Sequence, residues 1–140
     1  MAYDMKLNDE PFQKIRDGKK TIELRLYDEK RRKLSIGDYI VFSKVDNMDE
    51  KIAVKVKALY RAQSFRELFE DISLDKCGND ADATIEGVVS RLRKYYSEEE
   101  EAKYGVLGIK IRICDLEEAM VEEERLAEAQ FEHYFPDGMK

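Results

Sequence analysis

A chain of 140 residues has room for one domain with one hydrophobic core, large enough to fold without metal or disulfide staples. Hydrophobic residues at 43% exclude wholesale disorder, charged residues at 40% imply a well-solvated surface, and no apolar run approaches the roughly 20 residues that span a bilayer. The acidic balance, a net charge of −6, disfavours a broad nucleic-acid clamp, yet its uneven distribution leaves room for a basic patch in the first half: 16 Lys/Arg face 11 Asp/Glu in residues 1–66, and 9 face 20 in residues 67–140.

Tyr3, Met5 and Leu7 alternate with Asp4, Lys6 and Asn8, the period-two pattern of a short half-buried strand. Helical spacing replaces it at Pro11, a favoured first helical residue; Phe12 and Ile15 carry about two turns to Gly18, which can close them in a left-handed conformation. Thr21 to Tyr27 alternates again, with Ile22, Leu24 and Leu26 toward a core. The basic loop "DEKRRKLSIGD" and the Gly37-Asp38 turn lead into a β-branched and aromatic strand, "DYIVFSK". After a turn at Asn47 to Glu50, "MDEKIAVKVKALYRA" predicts a strand with Ile52, Val54, Val56 and Ala58 inward and Lys55 and Lys57 outward.

Ser64 and Glu67 form a capping-box pattern before a helix striped by Phe65, Leu68, Phe69 and Ile72. A polar loop, Asp75 to Asp82, precedes a second helix whose stripe is Ile85, Val88, Val89, Leu92, Tyr95 and Tyr96. Ser97 and Glu100 make another capping box, opening a short acidic turn that Gly105 can end. Val106 to Ile113 is the last strand, with Leu107, Ile109, Ile111 and Ile113 inward. "DLEEAMVEEERLAEAQFEHYF" then predicts an acidic helix stopped at Pro136, with Leu116, Met120, Ala127, Phe131 and Tyr134 as its stripe. The order β-α-β-β-β-α-α-β-α indicates an α+β fold, a curled sheet with helices at its open ends.

Cys77 and Cys114 fit no metal-ligand spacing, and the lone His133 completes no catalytic triad, so neither metal nor cofactor is expected. The N-terminus "MAYDMKLNDE" has no basic, apolar leader pattern, and the expectation is a cytoplasmic protein with free thiols, away from membranes. Along the strand in "GKKTIELRLYDEKRR", Thr21, Glu23 and Arg25 project to one side at intervals of about 6–7 Å, and Lys20 can lean over the same face. Two readings stay open: a solvated row of ion pairs, or a platform of one acceptor and several donors suited to an amide, a base edge or a phosphate. Lys30, Arg31 and Arg32 in the loop are candidate phosphate contacts or a solvated turn, and Tyr95 and Tyr96 are boundary residues or a stacking surface.

With these residues in view, "MKLNDEPFQKIRDGKKTIELRLYDEKRRKLSIGDYIVFSK" resembles the ASCH domain (activating signal cointegrator homology), including a G-x-K-x-x-E-x-R pattern at Gly18, Lys20, Glu23 and Arg25, and "YGVLGIKIRI" is similar to that family's closing strand. The resemblance runs from about Tyr3 to Asp115. It implies a closed PUA-like barrel of six or a similar number of strands over residues 1–115, with residues 116–140 as an acidic helical extension. It also implies a cleft beside the first helix and the motif strand, lined by Lys20, Thr21, Glu23 and Arg25, that holds RNA, a nucleotide or a nucleoside-like molecule. One branch of the family hydrolyses N4-acetylcytidine with a lysine that activates a threonine. By position the lysine corresponds to Lys20, while Glu23 stands where the threonine would be, so in such an enzyme Lys20 and Glu23 would be the catalytic residues. The third reading is a protein-interaction or homo-oligomer contact through the C-terminal helix.

Overall fold

Alternating segments form five strands: β1 (Ala2–Leu7), β2 (Ile22–Leu26), β3 (Tyr39–Lys44), β4 (Lys51–Ala62) and β5 (Val106–Cys114). Helical spacing and caps form α1 (Asp9–Arg16), α2 (Phe65–Asp71), α3 (Ile85–Leu92), α4 (Glu98–Tyr104) and α5 (Leu116–Tyr134). The structure, a computed structural model, describes residues 1–134, with side chains through residue 129. The predicted stop at Pro136 and the side chains of Phe131, His133 and Tyr134 lie outside the described residues.

The strands make one sheet in the order β1-β3-β4-β5-β2, with β1 and β3 parallel and the other neighbours antiparallel. Laid flat, its edge strands would stand about 19 Å apart, four spacings of about 4.8 Å. Instead Arg25 Nη2 on β2 donates to the Lys6 carbonyl on β1 at 3.0 Å, so the sheet curls into a half-barrel whose seam lies between β1 and β2. Strand pairing does not close that seam, and the strand count among the described residues is five.

Three apolar layers hold this shape. Inside the curl, Met5, Ile40, Phe42, Val54, Val56 and Ile109 pack around Phe12 and Ile15 of α1, which plug one end. Each such fully buried side chain contributes roughly 1.5–3 kcal/mol. Outside it, Ile22, Leu24 and Leu26 of β2 pack on Phe65, Leu68 and Phe69 of α2 and Val88 and Val89 of α3. On the far side, Ala119 of α5 seats against Tyr39 and Ala53. Because the aliphatic face of β2 meets the helices, its other face, with Glu23, Arg25 and Tyr27, turns toward the barrel interior and the seam.

Several sequence expectations are corrected in detail. The predicted order lacks one helix, because the capping box at Ser97 opens the helix α4 and not merely a turn, and the stripe predicted through Tyr96 leaves its helix at Leu92. The first helix begins at Asp9 with Asn8 as its N-cap residue, and Pro11 is its third residue, tolerated because first-turn N–H groups lack helical acceptors anyway. Gly18 does take the left-handed conformation, φ +78°. Ala58 is not a core residue: a bulge after Val56 inserts one residue opposite β5, the alternation inverts, and Leu59 takes the inward place. Ile113 is 44% exposed because β5 outruns the core. In α5 the predicted stripe members Leu116 and Met120 face out, at 41% and 57% exposure, and the helix packs through Ala119, whose small side chain lets the helix approach the sheet closely.

Candidate functional site

At the seam the inner face of β2 gathers three charged side chains. The backbone leading into β2 is pinned first: the N–H of Lys20 donates to the Lys14 carbonyl, and those of Thr21 and Ile22 donate to the Lys76 carbonyl. Lys20 forms an isolated bridge with Cys77. This brings Lys20 Nζ to 2.8 Å from Glu23 Oε1, while Arg25 Nη2 lies 3.0 Å from Glu23 Oε2. Glu23 Oε1 also accepts from the Leu24 N–H at 3.1 Å, and Oε2 from Arg25 Nε at 3.3 Å. With only 3% of its surface exposed, Glu23 meets two opposing effects. Burial pushes its carboxyl up, but Lys20 and Arg25 more than offset that and hold it at about 2.

Above this triad lies a cleft of about 450 Å³, walled by the end of β1, α1, the loop at Cys77–Asn79 and the C-terminal end of α3 with the residues after it. Its lining carries six cations, Lys6, Lys14, Lys20, Arg25, Arg91 and Lys94, against two carboxylates, Glu10 and Glu23. The loop is tied in place from both sides: Lys14 Nζ donates to the Gly78 carbonyl at 2.8 Å, and Arg91 Nη2 to Asn79 Oδ1 at 2.9 Å. Tyr95 and Tyr96 form one wall, with ring centres 6.5 Å apart. Tyr96 also packs on Phe65, whereas Tyr95 is 64% exposed. Cys77 lines the cleft too, but burial pushes its thiol up to about 12, so it is no thiolate nucleophile near neutrality.

Lys20, Glu23 and Arg25 thus share one cleft, and Thr21 is not part of its lining. Lys30, Arg31 and Arg32 sit on the turn beyond β2, outside the cleft. Arg31 pairs with Asp28 at 3.0 Å, and Arg32 donates to the Tyr27 carbonyl while lying over the Tyr27 ring. Sequence reasoning missed Lys6, Lys14, Arg91 and Lys94. A signal existed for the last two, which flank the aromatic end of the α3 stripe three residues apart. None existed for Lys6 and Lys14, which reach the cleft only because β1 and α1 border the seam.

The family model for the ASCH domain matches residues 5–115. Among solved structures, the crystal structure of the hypothetical protein PH0355 is 39% identical, with 81% of this chain and all 100% of that chain covered at a TM-score of 0.73. The solution NMR structure of protein PF0455 from Pyrococcus furiosus is 37% identical, covering 82% of this chain and 99% of that one at 0.63. The crystal structure of ASCH from Zymomonas mobilis, 15% identical over 81% of this chain and 73% of that one at a TM-score of 0.53, is a likeness of fold alone. No curated protein matches the chain.

Proposed function

This chain belongs to the ASCH domain family and has its PUA-like fold, and from that premise we propose that the seam cleft binds RNA or a nucleotide-like molecule. The observation that carries the reading is the convergence of six cations and two tyrosines on one cleft in a protein whose net charge is −6. Lys20 and Arg25 supply donors at the floor, Lys6 and Lys94 supply charge at the rim, and Tyr95 offers an exposed ring on which a base can stack. Calorimetric titration with a panel of nucleosides, nucleotides and short RNAs tests this. Arg25→Ala is expected to weaken binding at least tenfold, and the absence of binding to every member overturns the proposal.

Hydrolysis of an acylated nucleoside is the weaker reading. A carboxylate held at about 2, with both oxygens already accepting hydrogen bonds, is a poor general base for water. Acetate release from N4-acetylcytidine is therefore expected to be the same in the wild type and in Lys20→Ala. Release that depends on Lys20 would restore the enzyme reading.

Contact with another chain through α5 is favoured by the exposure of Leu116, Met120 and Val121. Light scattering of the full chain and of a chain ending at Asp115 tests it; a monomer in both cases removes the homo-oligomer.

A further inference from the structure

We propose that the floor of the cleft seats a phosphate monoester, the terminal phosphate of a nucleotide or of an RNA end, and that Glu23 is the positioning residue that aims Lys20 and Arg25 at it. This rests on the cleft being a nucleotide or RNA site, and it names the part of the ligand the floor recognises.

Two observations carry it. The first is charge. Lys20, Glu23 and Arg25 expose only 11%, 4% and 15% of their side chains, and together they hold two positive charges against one negative. A largely desolvated surplus cation is unfavourable until an anion compensates it, so the floor favours a negatively charged group.

The second is the hydrogen-bond balance. Glu23 accepts from Lys20, from the Leu24 N–H and twice from Arg25, which uses all of the roughly four lone-pair sites of a carboxylate. The nearby Lys6 and Gly78 carbonyls and Asn79 Oδ1 each already accept one side-chain bond, from Arg25, Lys14 and Arg91 respectively. Donors remain. Lys20 spends one of its three protons on Glu23, and the bonds of Arg25 within the described residues run through Nε and Nη2, leaving Nη1 for a ligand. A floor with free donors and a saturated carboxylate favours groups that accept. A base carbonyl meets that requirement but not the charge; a phosphate meets both. The amino edges of cytosine or adenine find no acceptor on Glu23, so the base is left to Tyr95 at the rim.

The test compares uridine, uridine 5′-monophosphate and inorganic phosphate on the full chain, by calorimetry and by amide chemical shifts at residues 20–25. The monophosphate is expected to bind at least tenfold more tightly than uridine, inorganic phosphate to shift the same amides and compete, and Lys20→Met to bring the two affinities within about twofold. Equal affinity for uridine and its monophosphate overturns the inference while the nucleoside reading of the cleft stands. If no member of the panel binds, both fall. Glu23→Gln separates positioning from charge. It makes the floor more positive, so charge alone would enlarge the preference for the monophosphate, whereas loss of positioning shrinks it. A larger preference overturns the role given to Glu23. If Glu23→Gln does not fold, Arg25→Lys serves instead, since it keeps the charge but loses the two-nitrogen grip on Glu23, and the preference is expected to shrink in the same way.

Discussion

Glu23 shows at the residue scale how a charge is kept in a place that burial alone would forbid. Its carboxylate is almost fully enclosed, yet two cations outweigh the desolvation and hold it at about 2, against an ordinary glutamate value of 4.5. The folded-state value lies below the unfolded one, so as pH falls the unfolded chain takes up this proton first. The contribution to stability is whole above about pH 5 and is lost between about pH 5 and 2; a shift of this size corresponds to about 3 kcal/mol. Denaturant unfolding should find Glu23→Gln less stable than the wild type by about that amount at pH 7, with the gap closing toward pH 2. A gap that stays constant with pH would show that the carboxylate's charge is not what stabilises it. The pairing itself was legible in outline, because Glu23 and Arg25 share a strand face by parity. Burial was not, because alternation distinguishes two faces without saying which is covered.

Among the elements, the helix starts show both what a local pattern specifies and where it stops. Ser97 and Glu100 make the full reciprocal capping box that their spacing predicts. Ser64 accepts from the Glu67 N–H as expected, but the Glu67 carboxylate reaches the N–H of Gln63 instead of that of Ser64. The start of α2 is completed from a distance: Glu101 on α4, 4% exposed, accepts from the Phe65 N–H at 2.5 Å and pairs with Arg93 at 2.6 Å. Nothing in the run Glu98 to Glu101 marks its last member as the buried one. Removing Glu101 orphans the buried Phe65 N–H and leaves the half-buried Arg93 only its looser 3.9 Å approach to Glu98, so Glu101→Ala should cost about 2–3 kcal/mol. Ser97→Ala, which loses one cap at an exposed helix start, should cost about 1 kcal/mol. Thermal or denaturant melts of the two variants check the ranking, and equal losses would refute the buried role of Glu101. The bulge in β4 belongs to the same scale: one inserted residue exchanges Ala58 for Leu59 in the core, and its position depends on pairing with β5, not on β4 alone.

Across the whole molecule, the cleft and α5 occupy opposite ends of β1. Lys6 and Leu7 border the cleft, while the Ala2 N–H donates to Glu123 of α5 at 2.9 Å. The family match ends at residue 115, immediately before α5 begins. We propose that residues 116–140 are an extension to the domain, whose described part, α5, covers one side of the sheet. Ending the chain at Asp115 uncovers Tyr39 and Ala53 and should lower stability by about 2 kcal/mol on the apolar area exposed, with nucleotide affinity unchanged. Unfolding curves and the same calorimetric panel measure both; loss of binding on truncation would tie α5 to the cleft.

Composition and periodicity were sufficient for the α+β class, the five strands in their order, the helix start at Ser97 and the shared strand face of Glu23 and Arg25, because each depends on neighbours within a few positions along the chain. The tertiary structure alone decided that the charged face of β2 turns inward to an open seam, that Lys6, Lys14, Arg91 and Lys94 join it there, and that α5 seats on Ala119. These depend on which strands pair and how far the sheet curls. Both are set by contacts between residues tens of positions apart, which no local period records.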